Sequence, residues 1–265
     1  MTGVQTCALP ISRIWEWGQL AQHVDLRNLI FEDDAGARLG CRGSLDLMIW
    51  PGTLTLNLEL APDHHYTQGP SPGIAGRGVC VLDQPVDIPH DETNDPETLT
   101  VECWVKIPEA IPHTRHGWFL CKNENEWDDG NFGFGFAGWA PTAIMNIGGD
   151  RENQHSIAMQ AGDYRRHDWN HLALTYDGDT MRAYLNGKLQ GSATIGQPRV
   201  PQPGVLRLGK RGDDLFSLVA GLYDQVRIWD RALSEEELLV HAERPAELPS
   251  REGLVLEEKI GRAHV

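Results

Sequence analysis

Residues Lys122 to Asn131, KNENEWDDGN, concentrate four carboxylates, three amides and one indole in ten positions. Three chemistries fit that set. As a calcium loop, Asp128, Asp129 and Asn131 supply hard oxygen ligands of the kind Ca²⁺ takes. As a sugar site, Trp127 offers a flat apolar face for stacking, while Asn123 and Asn125 hydrogen-bond hydroxyls. As a catalytic strand, Glu124, Glu126 and Asp128 at i, i+2 and i+4 would share one face, as paired carboxylates in glycosidases require. The plain alternative is a solvated acidic turn. The Gly and amide content argues for a loop, which would splay the three side chains instead of aligning them.

A second cluster is Asn146 to His155, NIGGDRENQH. Gly148-Gly149 marks a turn, and Asn146, Asn153 and His155 are candidate ligand residues on a polar loop. An ordinary hairpin tip is the competing reading. His155 has no recognisable Ser or Cys partner, so a triad is not supported. His113, His116, His167 and His171 are not grouped like metal ligands. No G-x-S-x-G, phosphate loop, dinucleotide fingerprint or zinc-protease motif occurs, and no residue is assigned a catalytic role.

The elements that must hold these loops are strands. In WNHLALTYDGDTMRAYLNGKLQGS, from Trp169, Leu172, Leu174 and Tyr176 fall on one face and His171, Ala173 and Thr175 on the other. Asp177-Gly178 and Asn186-Gly187 supply the positive φ of primed turns, so a three-stranded meander is expected. LTVECWVK puts Leu99, Val101, Cys103 and Val105 between two sheets and Glu102, Trp104 and Lys106 on the other face. GVCVLDQPVDIPH is expected to be an early strand pair only through the family resemblance given below; WFLCK, NFGFGFAG, TAIMNIGG and HSIAMQ read as further strands. After GLYDQVRIW, Ser234 is a natural N-cap and Glu237 completes a capping box, with the helix ending before Pro245. Asp224 is read as a brace for the closing strand.

Together these blocks resemble the laminin-G-like jelly roll of the concanavalin A-like lectin/glucanase superfamily. That resemblance rests on a Trp-x-His strand, a Tyr-Asp-Gly turn, an Asn-Gly turn, the Thr-Val-Glu-x-Trp-Val-Lys strand and the closing Gly-Leu-x-Asp-x-Val-Arg-Ile strand with Arg-Ala-Leu-Ser. It implies an all-β, two-sheet antiparallel jelly-roll sandwich with one short C-terminal helix. Glu124-x-Glu126-x-Asp128 only partly imitates the Glu-x-Asp-x-Glu pattern of the superfamily's endoglucanases, and Asn125 and Trp127 stand where those enzymes carry apolar residues.

The two ends are set aside. TGVQTCALPI resembles a translated sequencing-library adapter. Encoding Thr6 to Ile11 and reading the complementary strand returns Ile-Gly-Arg-Ala-His-Val, the last six residues. Residues 1–12 and 259–265 are therefore expected to be artefact, and the rest an internal piece of a longer gene. Residues 13–52 are read as the tail of a preceding β domain or an N-terminal extension. There Leu45, Leu47 and Ile49 alternate, Pro51-Gly52 turns the chain, and Leu54 to Leu60 alternate again. The jelly roll is expected over 53–248, with Thr53 to Leu60 as its first strand. Residues 249–258, containing REGLVLEE, are read as a linker or the start of a next domain.

A formal charge of −15 lacks the basic footprint that nucleic acid or anionic membranes require. No run approaches the ~20 apolar residues of a membrane helix. Nine Trp, 28 Gly and 16 Pro suit a loop-rich β protein. Cys41, Cys80, Cys103 and Cys121 contain no CxxC element, and the last three sit in strand-like runs, where buried free thiols are expected and a disulfide is the alternative. The expected function is a non-catalytic recognition module for carbohydrate or glycoprotein in a larger multidomain protein, with Ca²⁺ as the one candidate cofactor. The alternatives are part of a glycan-active enzyme and a purely structural spacer. An extracellular, cell-surface or periplasmic location follows from the resemblance alone.

Overall fold

The computed structural model describes residues 30–32, 38–42, 45–49, 52–56, 59–61, 66, 68–111, 116–148, 151–213 and 215–258. The adapter-like ends, Trp50-Pro51 and His113 lie outside these. The chain divides into two compact units, 1–65 and 66–265.

The first unit contains β1 (Ile30–Glu32), β2 (Arg38–Arg42), β3 (Leu45–Ile49), β4 (Gly52–Leu56) and β5 (Glu59–Ala61). β1, β2 and β5 form one antiparallel sheet, and β3 pairs with β4. Ile49 stands opposite Gly52, so Gly52 opens β4 instead of sitting at the centre of a turn. The Leu54 to Leu60 run is divided between β4 and β5, in different sheets.

The second unit is a sandwich of two antiparallel sheets. One is ordered β13 (Gln154–Ala158), β12 (Ala140–Asn146), β11 (Phe132–Ala137), β10 (His116–Lys122), β17 (Leu206–Leu208), β8 (Val86–Ile88). The other is ordered β16 (Lys188–Thr194), β15 (Thr180–Leu185), β14 (Asn170–Tyr176), β9 (Leu99–Lys106), β18 (Gly221–Trp229), β7 (Arg77–Val81), β6 (Gly69–Pro72). β19 (Leu254–Glu258), the segment read as a linker or the start of a next domain, pairs with the second half of β18. β7 and β8 are not a pair: β7 joins β18, while β8 joins β17 in the opposite sheet.

The core is built by alternation. Leu99, Val101, Cys103 and Val105 of β9 and Leu172, Leu174 and Tyr176 of β14 meet Phe132, Phe134 and Phe136 of β11 and Ala143 and Met145 of β12. Each large apolar side chain so buried contributes about 1.5–3 kcal/mol, an upper estimate for a chain that is partly collapsed when unfolded. Two bulges break the period. In β18 the register shifts between Asp224 and Arg227, and Gln225 takes φ 50°, so Tyr223 and Val226 both reach the core. In β10 the shift between Trp118 and Leu120 sends Phe119 and Leu120 inward, and Trp118 to the outer face with Cys121, Ile144 and Phe216.

The meander β14–β15–β16 turns at Asn186-Gly187, with φ 53° and 77°. The other turn centres one residue later than the sequence suggests. Asp177 pairs with Thr180, only Gly178 has positive φ (94°), and the Asp177 carboxylate accepts from the Asp179 and Thr180 N–H groups. Helix α1 (Glu235–Glu243) carries the full capping box of Ser234 and Glu237. It packs through Leu238 onto Ala173, Tyr184, Trp229 and Leu233 on the outside of the larger sheet. Asp224 braces the β18 bulge, accepting from the N–H groups of Ala75 and Gln225. Burial raises its pKa, opposed by those hydrogen bonds.

Candidate functional site

β10 ends at Lys122 and β11 begins at Phe132, so residues 123–131 form a loop and not a strand. Its three suspected catalytic carboxylates go three ways. Glu124 is exposed. Glu126 pairs with the buried Arg211, which Asp213 also holds. Asp128 turns back onto its own loop, accepting from Glu124 N (2.9 Å), Asn125 N (3.1 Å) and Asn125 Nδ2 (3.2 Å).

The amides of the loop are likewise spent on the backbone. Asn123, at φ 67°, gives its Nδ2 to the Asp129 carbonyl at 2.8 Å. The Asn125 Oδ1 accepts from Trp127 N at 2.8 Å. Asn131 is fully buried, its Nδ2 donating to the Lys122 carbonyl, while its Oδ1 has no hydrogen-bond partner.

The structure brings the second candidate loop against the first. Asn146 Nδ2 donates to the Trp127 carbonyl at 3.1 Å, and its Oδ1 accepts from Gly148 N at 2.8 Å. Asn153 Nδ2 donates to the Gly148 carbonyl at 2.6 Å. His155 lies on the edge strand β13 opposite Met145, where burial lowers its pKa and favours neutral imidazole. It does not line the cleft described next.

That cleft, ≈ 760 Å³, lies at the end of the smaller sheet. Asn123, Glu124, Trp127, Asp128 and Asp129 form one wall, and Gln202, Pro203, Gly204 and Val205 the other; Arg207 and Gly212 complete it. Arg207 is held by a two-point contact with Asp87, at 2.6 and 2.8 Å.

Sequence reasoning missed the second wall. The available signal was its Pro-Gln-Pro-Gly composition, but what holds it is remote. The Lys122 ammonium, almost wholly buried, donates to the carbonyls of Gln202 (3.0 Å) and Gly204 (2.7 Å) and to Asn123 Oδ1 (3.1 Å). Asp95 stands 3.5 Å from it, accepts from Gln202 N at 3.0 Å and pairs with buried Arg199, which donates to the Gly130 carbonyl. Burial lowers the Lys122 pKa, and Asp95 opposes that shift.

The expected calcium ligands are split. Asp128 and Asp129 line the cleft, whereas Asn131 is sealed beneath it and Asp128 is already committed to N–H donors. Among the described residues no group of three His, Cys, Asp or Glu side chains is placed to hold a metal. As a set these residues do not fit the ion.

Three thiols, Cys80, Cys103 and Cys121, are free and buried. Burial raises all three, Cys80 to about 11 and Cys121 to about 12, so they remain protonated and unreactive.

An antiparallel two-sheet sandwich with a loop-built cleft at one end defines a lectin-like β-sandwich domain. The sequence pattern of the concanavalin A-like lectin/glucanases superfamily matches residues 82–239, more than half of the chain, and the chain belongs to that family. No curated protein matches it in sequence. Among solved structures, the binding domain of Paraclostridial mosquitocidal protein 1 is 13% identical with a TM-score of 0.52, over 77% of this chain and 52% of that one. The botulinum neurotoxin serotype G binding domain is 13% identical with a TM-score of 0.50, over 70% and 48%. Domain 4 of AbnA, a GH43 extracellular arabinanase from Geobacillus stearothermophilus, in complex with arabinotriose, is 20% identical with a TM-score of 0.44, over 66% and 81%. The chain spans about half the length of the two toxin domains, and the likeness to them is one of fold. Among the described residues no helix is long and apolar enough to cross a membrane.

Proposed function

We propose that this sandwich is a non-catalytic glycan-recognition module of an exported multidomain protein, and that the cleft between residues 123–129 and 202–205 takes the sugar. The observation that carries the reading is Trp127. Its indole lines the cleft, half-buried, and its backbone is fixed at both N–H and carbonyl by Asn125 and Asn146. A flat apolar ring beside Glu124 and Asp129 suits a pyranose or furanose, which has one apolar face and a rim of hydroxyls. Binding is favoured over hydrolysis because Glu126 and Asp128 are tied to Arg211 and to backbone N–H groups, which leaves no opposed carboxyl pair in this loop. Calcium has no part in the proposal.

The test is retention on a glycan panel by wild type and Trp127→Ala. Loss of retention with unfolding free energy changed by less than about 1 kcal/mol is expected. Equal loss of stability and binding would make Trp127 a packing residue. A wild type that binds nothing would favour the spacer reading.

A further inference from the structure

The cleft carries an unbalanced charge. Three carboxylates line it, on Glu124, Asp128 and Asp129, against one guanidinium, on Arg207. Arg207 is already neutralised, because Asp87 takes it at two points. Asp128 is bonded to its own loop and contributes charge only. Glu124 is exposed, and among the described residues its carboxylate makes no ion pair.

The charges packed against the walls do not redress this. Beneath residues 202–204, Lys122 and Arg199 share Asp95, which leaves one positive charge over. Beside residues 123–129, Glu126 and Asp213 share Arg211, which leaves one negative charge over. These two groups offset each other. Arg151, 4.4 Å from the Trp127 ring centroid, adds one positive charge outside the lining residues. Set against the three lining carboxylates, it leaves an excess of two negative charges, on a chain of formal charge −15.

We propose that the cleft selects glycans by charge, with Glu124 as the specificity-determining residue. It takes neutral and amine-bearing sugars and rejects those that carry carboxylate or sulfate. This rests on the glycan reading of the cleft. Fixed charges in a walled cleft favour one sign of ligand and penalise the other. An acidic group on the sugar meets no unneutralised cation among the lining residues. A protonated amine meets three carboxylates, and Glu124 gives up no ion pair to receive it. Through water at about 8 Å, each unit charge changes affinity by a factor of about 2. An excess of two charges therefore weakens binding of an acidic sugar about 5-fold relative to its neutral counterpart.

The experiment uses the full chain and a neutral oligosaccharide retained on the panel. It is compared with the same oligosaccharide oxidised at C6 to the uronate, and with an amine-substituted form. At low salt the uronate is expected to bind about 5-fold more weakly than the neutral form, and the amine more tightly. In about 1 M NaCl, where the screening length falls to about 3 Å, these differences are expected to vanish. In Glu124→Gln the uronate penalty is expected to shrink about 2-fold. A penalty that survives both high salt and Glu124→Gln would report a lost hydroxyl contact instead of charge, and overturns the proposal. Equal or tighter binding of the uronate overturns it too, although the glycan reading then stands. If no glycan is retained at all, both fall together.

Discussion

A carboxylate without solvent is tolerated only if donors replace its water, and Glu102 has four of them. His171 Nε2 lies 2.9 Å from its Oε2 and His241 Nδ1 3.1 Å. Arg227 Nη1 and Trp229 Nε1 reach Oε1 at 3.3 and 3.2 Å. Burial is the largest influence on its pKa and pushes it up, yet the hydrogen bonds and charges of His171 and His241 together outweigh it and hold the carboxyl well below its usual range. Glu102→Gln removes the carboxylate on which all four donors converge, leaves Arg227 only Glu257 at 3.5 Å as counter-charge, and is expected to cost about 3–5 kcal/mol in urea unfolding. Because the folded-state pKa lies below the ordinary 4.5, this stabilisation is present in full above about pH 4.5 and is lost as pH falls through the folded value. The gap between wild type and Glu102→Gln should narrow below pH 4.5; a gap that widens there would contradict the assignment. Alternation in VECWVK correctly puts Glu102 on the face away from the main core. It could not show that the helix closes over that face, because His241 is 139 residues away. For the same reason the sequence shows Trp127 as an available ring but not the Arg151 that stacks on it.

At the scale of elements, local chemistry was legible and remote support was not. The meander turns, the capping box and the alternating strands each depend on residues a few positions apart. The register shifts at Asp224–Arg227 and Trp118–Leu120 depend on which neighbours the strand meets, so alternation alone misplaces residues beyond them. The cleft's second wall is held across 80 residues by Lys122 and across 107 by Asp95. In that cluster one carboxylate serves two cations. Asp95→Asn strips the counter-charge from both Lys122 and Arg199, and is expected to cost about 3–5 kcal/mol. Lys122→Met leaves the Asp95–Arg199 pair and unbonds carbonyls that can turn to water, for about 1–3 kcal/mol. Thermal or urea unfolding of the two variants should therefore rank Asp95→Asn as the worse; the reverse order would mean that Lys122, not Asp95, is the pivot. In Lys122→Met, loss of glycan binding should exceed what the stability change accounts for, because the wall at 202–204 is released.

For the whole molecule, the sandwich was readable because its two sheets bury residues in the period-two pattern that strands impose. Residues 254–258 look like a beginning in sequence because LVLEE is a strand without a visible partner; the second half of β18 provides one. The smaller sheet has two loop-bearing ends, and the account commits to one of them. Hydrogen–deuterium exchange of the full chain, with and without a glycan retained on the panel, tests that commitment most directly. Slowed exchange confined to residues 123–131 and 202–207 is the predicted result. Protection centred instead on the β11–β12 turn at Gly138-Trp139, at the other end of the sheet, or no protection at all, would contradict it.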